Sequence, residues 1–181
     1  MIRIAALIGT LVLAFAGAFA EARGLPTFRE YPSERVAVEP WKRPVFSSPR
    51  QRKFRTTIAG AARQGPNFAG TFAIALWGCG LSCRSIAVVD LETGRVFDGP
   101  FEYLSTDSDI SYRDGQRSLT PSFKPIEYRA HSRLLIVRGC YSFWDHSNCA
   151  LRYYDWNGTQ FHLIKEFPTV PRHVPHPART R

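Results

Sequence analysis

Four cysteines, Cys79, Cys83, Cys140 and Cys149, are the residues whose type and spacing bear most directly on chemistry. As thiolates they could pool into a metal site, and one of them beside His131, His146 or His162 could serve as a nucleophile. Oxidised, they form two disulfides and both routes close. Dithiol exchange usually uses Cys-x-x-Cys at a helix start, where the dipole lowers a thiol pKa. Here the spacing is Cys79-x-x-x-Cys83 and the flanking residues read as strands, which points to structural bridges.

The remaining chemistry-bearing groups give weaker signals. Asp107, Asp109 and Asp114 could supply a carboxylate pair, but they fall in a polar stretch where acidic residues are ordinary turn formers. His173 and His176 sit among prolines with no third ligand near them in sequence, so no metal site is predicted. Nucleophile elbow, phosphate loop and dinucleotide fingerprint are all missing from the sequence, and neither a cofactor nor a catalytic set is predicted. The densest loop is Tyr141-Ser142-Phe143-Trp144-Asp145-His146-Ser147-Asn148, held between Cys140 and Cys149. A short loop pinned at both ends and rich in aromatics can build a rigid recognition surface at low entropy cost. Arg84, Trp144, Asp145 and His146 are the candidate contact residues.

The elements that must position these loops come in two copies. Residues 71–97 read TFAIALWGCGLSCRSIAVVDLETGRVF, and residues 134–161 read LLIVRGCYSFWDHSNCALRYYDWNGTQF. In each, an apolar strand runs into Gly-Cys, a short loop leads to a second Cys, and another strand ends in Asp and a Gly-containing turn. Gly78-Cys79 matches Gly139-Cys140, Cys83 matches Cys149, Asp90 matches Asp155 and Gly94 matches Gly158. This symmetry favours pairing Cys79 with Cys83 and Cys140 with Cys149. Entropy does not choose: small loops are worth about 2 to 3 kcal/mol each and a Cys79 to Cys140 bridge about 4 kcal/mol. The near-continuous apolar character of the first strands predicts burial on both faces. Asn157-Gly158 signals a type I′ hairpin turn.

Outside the two copies, one helix is predicted over residues 48–64. Ser48 suits its N-cap, Pro49 its first turn, Gly65 its left-handed end, and Pro66 blocks continuation. Phe54, Ile58, Ala61 and Ala62 share one face. Lys42, Arg43, Arg50, Arg52, Lys53, Arg55 and Arg63 follow one another with no acidic residue between them, either as an anion-binding face or as the solvated side of the helix. The stretch lacks the interleaved aromatics of nucleic-acid grooves, so no nucleic-acid partner is predicted.

Residues 1–20 carry Arg3, an apolar run and Ala18-Phe19-Ala20, the order of a cleaved secretory signal, with no cysteine for a lipid anchor. No later stretch is apolar enough to span a bilayer. Residues 21–47 form a Pro-rich extended lead-in with a short edge strand at residues 35–38, residues 48–167 one disulfide-stapled domain, and residues 168–181 a basic, Pro-rich disordered tail. The net charge of +9 points an exported chain toward acidic polymers, lipid head groups or acidic proteins.

The run GPNFAGTFAIALWGCGLSCRSIAVVDLETGRVF, with Ser132 to Gly139 later, resembles a family of small exported bacterial proteins of unknown function that carry a Trp-Gly-Cys-Gly-x-x-Cys segment. The resemblance implies export and a shared fold and brings no catalytic residues. The Asp-x-x-Thr-Gly turn between strands also resembles the blades of β-propellers, although two copies with an inserted helix cannot close a ring.

The sequence thus predicts an α+β, mostly β domain: an antiparallel meander of about six to eight strands in two related hairpin units, with one amphipathic helix. The function expected is a non-enzymatic binding or inhibitor-like module, periplasmic or secreted, using its cysteine-bounded loops on an envelope or extracellular protein. The alternatives are an envelope hydrolase, with His146 or His131 beside a carboxylate of residues 107–114, and a structural protein binding anionic polymers through the basic helix.

Overall fold

The computed structural model describes residues 24–34, 39–106, 111–114, 117–119, 124–141 and 148–170. The apolar runs form the strands expected of them. β1 (Phe72–Gly80) and β2 (Cys83–Asp90) pair antiparallel from Phe72 opposite Asp90 to Gly80 opposite Cys83, with a bulge between Gly78 and Gly80. Side chains alternate along a strand, so the ladder sorts them into two faces. Ala73, Ala75, Ala87 and Val89 go to one side, Ile74, Ile86 and Val88 to the other, and both sides are buried. β3 (Val96–Asp98) returns along β2 after a turn in which the Asp90 carboxylate accepts from the Glu92 amide (2.9 Å) and the Thr93 hydroxyl (2.6 Å).

The second copy repeats the plan. β8 (Leu134–Cys140) pairs with β9 (Cys149–Trp156), and β9 pairs with β10 (Phe161–Val170). The two units are joined by β4 (Leu104–Ser105), which touches β2 on one side and β8 on the other. With β5 (Ser111–Asp114), β6 (Arg117–Leu119) and β7 (Ile126–Glu127), the strands form one open sheet of order β1-β2-β4-β8-β9-β10-β5-β6, with β3 on β2 and β7 on β8. An open path of this order is not a ring of blades, so the propeller likeness stops at the local turn.

One face of each unit meets a face of the other. Ile74, Ile86 and Val88 share a buried cluster with Leu135, Val137, Tyr154 and Trp156, sealed by Phe68, Phe101 and Leu104. Each unit's other face has its own cover. Helix α2 (Arg55–Arg63) lays Ile58 and Ala62 on the β1–β2 face, helped by Trp41 and Phe46. Leu25, Phe28 and Tyr31 pack with Tyr112 and Phe167 over Leu134, Ile136 and Tyr153 of the second unit.

Four expectations change. The single helix is two: α1 (Pro49–Lys53), capped by the Ser48 hydroxyl accepting from the Gln51 amide at 3.1 Å, and α2, separated at Phe54. Phe54 leaves helical geometry at ψ +18 and stacks on Trp77, with ring centroids 4.6 Å apart. The extended lead-in also serves as a cover, its apolar residues closing both outer faces; its proposed edge strand at residues 35–38 lies outside the described residues. The polar connection after Asp98 contains three strands, β4 to β6. Asn157-Gly158 is not a two-residue turn, because Trp156 pairs with Phe161 and four residues intervene. There Asn157 Oδ1 accepts from the Thr159 and Gln160 amides, both at 2.9 Å. Finally, β10 continues through Pro168 and Thr169, so the tail is ordered to Val170; residues 171–181 lie outside the described residues.

Candidate binding surface at the disulfide end

The cysteines pair within their own units, Cys79 with Cys83 (Cα atoms 5.1 Å apart) and Cys140 with Cys149 (3.8 Å). None is left as a free thiol, so neither a thiolate metal site nor a cysteine nucleophile is available in this state. The registers place both bridges in one row across the sheet. Gly80 is opposite Cys83, Cys83 opposite Ser105, Ser105 opposite Cys140, and Cys140 opposite Cys149. The two cysteine-bounded loops therefore leave the same end of the sheet, with only β4 between them.

Glycine makes this approach possible. Gly139 has φ +148, and a Cβ there would collide with the Ser105 carbonyl oxygen and lie 2.9 Å from Leu104 Cδ1. The loop of the first unit is tied down from the same strand. The Thr106 amide donates to the Ser82 carbonyl at 2.7 Å and the Thr106 hydroxyl donates to the same oxygen at 3.0 Å. Leu81, at the tip, is 93% exposed. A leucine held in water on a covalently closed, hydrogen-bonded loop contributes nothing to the core. Arg84 is exposed beside it, its Nη1 donating to the Cys83 carbonyl at 3.1 Å.

The base of the second loop is organised by Arg152, whose side chain is 5% exposed. Its Nη2 donates to the Asn148 carbonyl (3.2 Å) and Asn148 Oδ1 (3.1 Å) and pairs with Glu166 at 3.0 Å. Its guanidinium lies 4.1 Å from the Tyr141 ring centroid, while its Nη1 is buried with no hydrogen-bond partner among the described residues. The Tyr141 and Tyr154 hydroxyls are 2.5 Å apart. Burial, then the bond to Tyr154, pushes the Tyr141 phenol far above its usual range, so it remains a neutral hydrogen-bonding group. Arg152 thus fixes both residues that flank the loop, Tyr141 and Asn148.

Of the predicted contact residues, Arg84 stands at this end of the sheet; Trp144, Asp145 and His146 lie outside the described residues. Sequence reasoning missed Leu81 and Arg152. Both had a signal: Leu81 is the one large apolar residue between Cys79 and Cys83, and Arg152 is the one cation in the strand-forming run Cys149–Trp156, set among apolar and aromatic residues. For the hydrolase alternative, His131 is exposed and forms no ion pair with a carboxylate among the described residues. Asp107, Asp109 and the Asp114 side chain lie outside them, as do His173 and His176. Among the described residues no group of three or more His, Cys, Asp or Glu gathers to hold a metal, and no helix is long and apolar enough to cross a membrane.

Comparison with protein-family models, with curated proteins and with solved structures returns no match for this chain.

Proposed function

We propose that this chain is an exported, non-enzymatic binding module that holds a protein partner of the envelope or extracellular space against its two disulfide-closed loops. The observation that carries the reading is the single row of both bridges across β2, β4, β8 and β9, which sets two short, closed loops side by side. A loop closed by a disulfide has less chain entropy to lose on binding than an open one, so fewer contacts suffice. The contacts are Leu81 of the first loop, Arg84 next to it at the start of β2, and Trp144, Asp145 and His146 of the second loop. Export is supported by the two disulfides, which persist in oxidising compartments, by the signal-like first 20 residues and by the resemblance to small exported bacterial proteins.

The test is site-specific photo-cross-linking in the source cell, with a photoreactive residue at position 81, 144 or 159. Thr159 is exposed in the loop at the opposite end of β9 and serves as the control. Adducts of one common mass from positions 81 and 144, with none from 159, are expected. No adduct from 81 and 144, adducts of different mass from them, or equal adducts from all three would overturn the reading.

A further inference from the structure

The seven basic residues of the Lys42 to Arg63 stretch do not share one fate. Arg50 is paired with Asp98 at 3.2 Å, donates to the Glu102 carbonyl at 3.1 Å and lies 5.2 Å from the Trp77 ring centroid. Arg52 donates to the Phe46 and Ser47 carbonyls, Arg55 to the Arg52 carbonyl, and Lys53 sits over Phe54. These four serve the protein's own structure. The other three, Lys42, Arg43 and Arg63, are exposed, and their side chains form no hydrogen bond or ion pair among the described residues. All three line the same cavity, of about 430 Å³, between the lead-in and α2.

The rest of that cavity is apolar: Trp41, Pro44 and Phe46 come from the lead-in, and Ala59 and Ala62 from α2. The lead-in is held in place by backbone bonds from Lys42 N to Leu91 O (3.0 Å) and from Val45 N to Gly94 O (2.8 Å). Trp41 is braced from the other side by the end of α2, since a Cβ on Gly65 would stand 3.2 Å from its ring. The groove is therefore built from ordered backbone. Two alanines on the α2 wall leave the space that larger side chains would fill.

We infer that this groove is a binding site for a small single-chain amphiphile with an anionic head, whose apolar body lies against Trp41, Phe46 and Ala59 while Lys42, Arg43 and Arg63 hold the head group. The volume falls within the range of about 300–1,000 Å³ usual for small-molecule sites. Three like charges around one apolar cleft repel one another, and a carboxylate, sulfate or phosphate head relieves that repulsion while the tail removes apolar surface from water. The chain's own terminal segment, residues 171–181, contains Arg172, Arg179 and Arg181 and no acidic residue, so charge argues against it as the occupant. None of the groove residues belongs to the disulfide row, so this site stands apart from the loop surface.

The experiment is isothermal titration of the full folded chain, below the micelle threshold, with dodecanoate, dodecyl phosphate, dodecyltrimethylammonium and inorganic phosphate. One-to-one binding of the first two is expected, with a change in Trp fluorescence that disappears in Trp41→Phe, and no detectable binding of the other two. Charge reversal in Lys42→Glu/Arg63→Glu should weaken dodecanoate binding at least ten-fold. Ala59→Phe, filling the groove while keeping the charges, should weaken it equally, with circular dichroism confirming that both variants remain folded. Equal binding of the cationic detergent, retention of affinity in both variants, or no binding of either anionic amphiphile would overturn the inference.

Discussion

Replacing Gly139 with alanine should destabilise the protein severely, and the size of the effect can be separated into two parts. The first is backbone strain: φ at Gly139 is +148, a region that side chains rarely adopt, and leaving it to glycine avoids about 1–2 kcal/mol. The second is collision. The new Cβ meets the Ser105 carbonyl oxygen, a backbone atom that cannot rotate away, and presses on Leu104, which is completely buried in the cluster joining the two units. Overpacking of this kind adds about 1–3 kcal/mol. The sum for Gly139→Ala is about 2–5 kcal/mol, a large share of the margin of a small domain. Gly80→Ala is the internal control, because Gly80 has φ +143 and open space around its would-be Cβ. It carries the strain without the collision and should cost about 1–2 kcal/mol. Urea unfolding of the oxidised proteins, compared at equal m-values, measures both. Equal losses in the two variants would refute the close approach of β8 to β4, and with it the single row of disulfides.

Three further outcomes follow from the same structure. Gly94→Ala, at φ +79, should push its Cβ into the Arg43 carbonyl oxygen and free the lead-in from β2 and β3; trypsin should then cut after Lys42 much faster, Arg43 being protected by Pro44, and an unchanged cleavage rate would contradict the docking. Arg152→Met should cost about 1.5–3 kcal/mol in urea unfolding, the range for hydrogen bonds to a charged group. It lies below the loss of a fully buried pair because the Glu166 side chain, 38% exposed, can return to water; a loss under about 0.5 kcal/mol would remove Arg152 as the organiser of the loop. Burial raises the phenol of Tyr112 to about 12 and also raises Tyr141, Tyr153 and Tyr154. The unfolded chain then loses these protons near pH 10 while the folded chain keeps them, so stability is fully present below pH 10 and falls as pH rises through the folded values. Chemical unfolding between pH 8 and 12 checks this. Tyr112→Phe should flatten part of the fall, and a stability independent of pH up to 12 would contradict the burial of these phenols.

How much of this was readable from the sequence depends on the range of the forces involved. The two hairpin units were legible because their signals are local: apolar strands, Gly-Cys pairs and turn residues within segments of fewer than 30 residues. The disulfide pairing followed from that repetition. β4 was not legible, since Leu104 and Ser105 carry no alternation of their own and become a strand only because β2 and β8 flank them. The facing of the two units was equally hidden, because Ile86 and Leu135 share a buried cluster that no short window contains. The break at Phe54 shows tertiary packing overriding a consistent helical pattern, with the ring drawn onto Trp77. The groove escaped notice because its wall depends on bonds from Lys42 and Val45 to a turn about 50 residues away. From the sequence alone, seven successive cations look like one face; in the fold, four are engaged and three remain.

The binding reading rests on two loops that are each closed within their own hairpin, and a tryptic digest without reductant tests that directly. Cleavage after Arg63 and Arg84 releases residues 64–84, which hold Cys79 and Cys83, and cleavage after Arg138 and Arg152 releases residues 139–152, which hold Cys140 and Cys149. The account predicts two separate peptides, each lighter by two hydrogens than its reduced form. A single species in which the two peptides are joined, or peptides of full reduced mass, would contradict it.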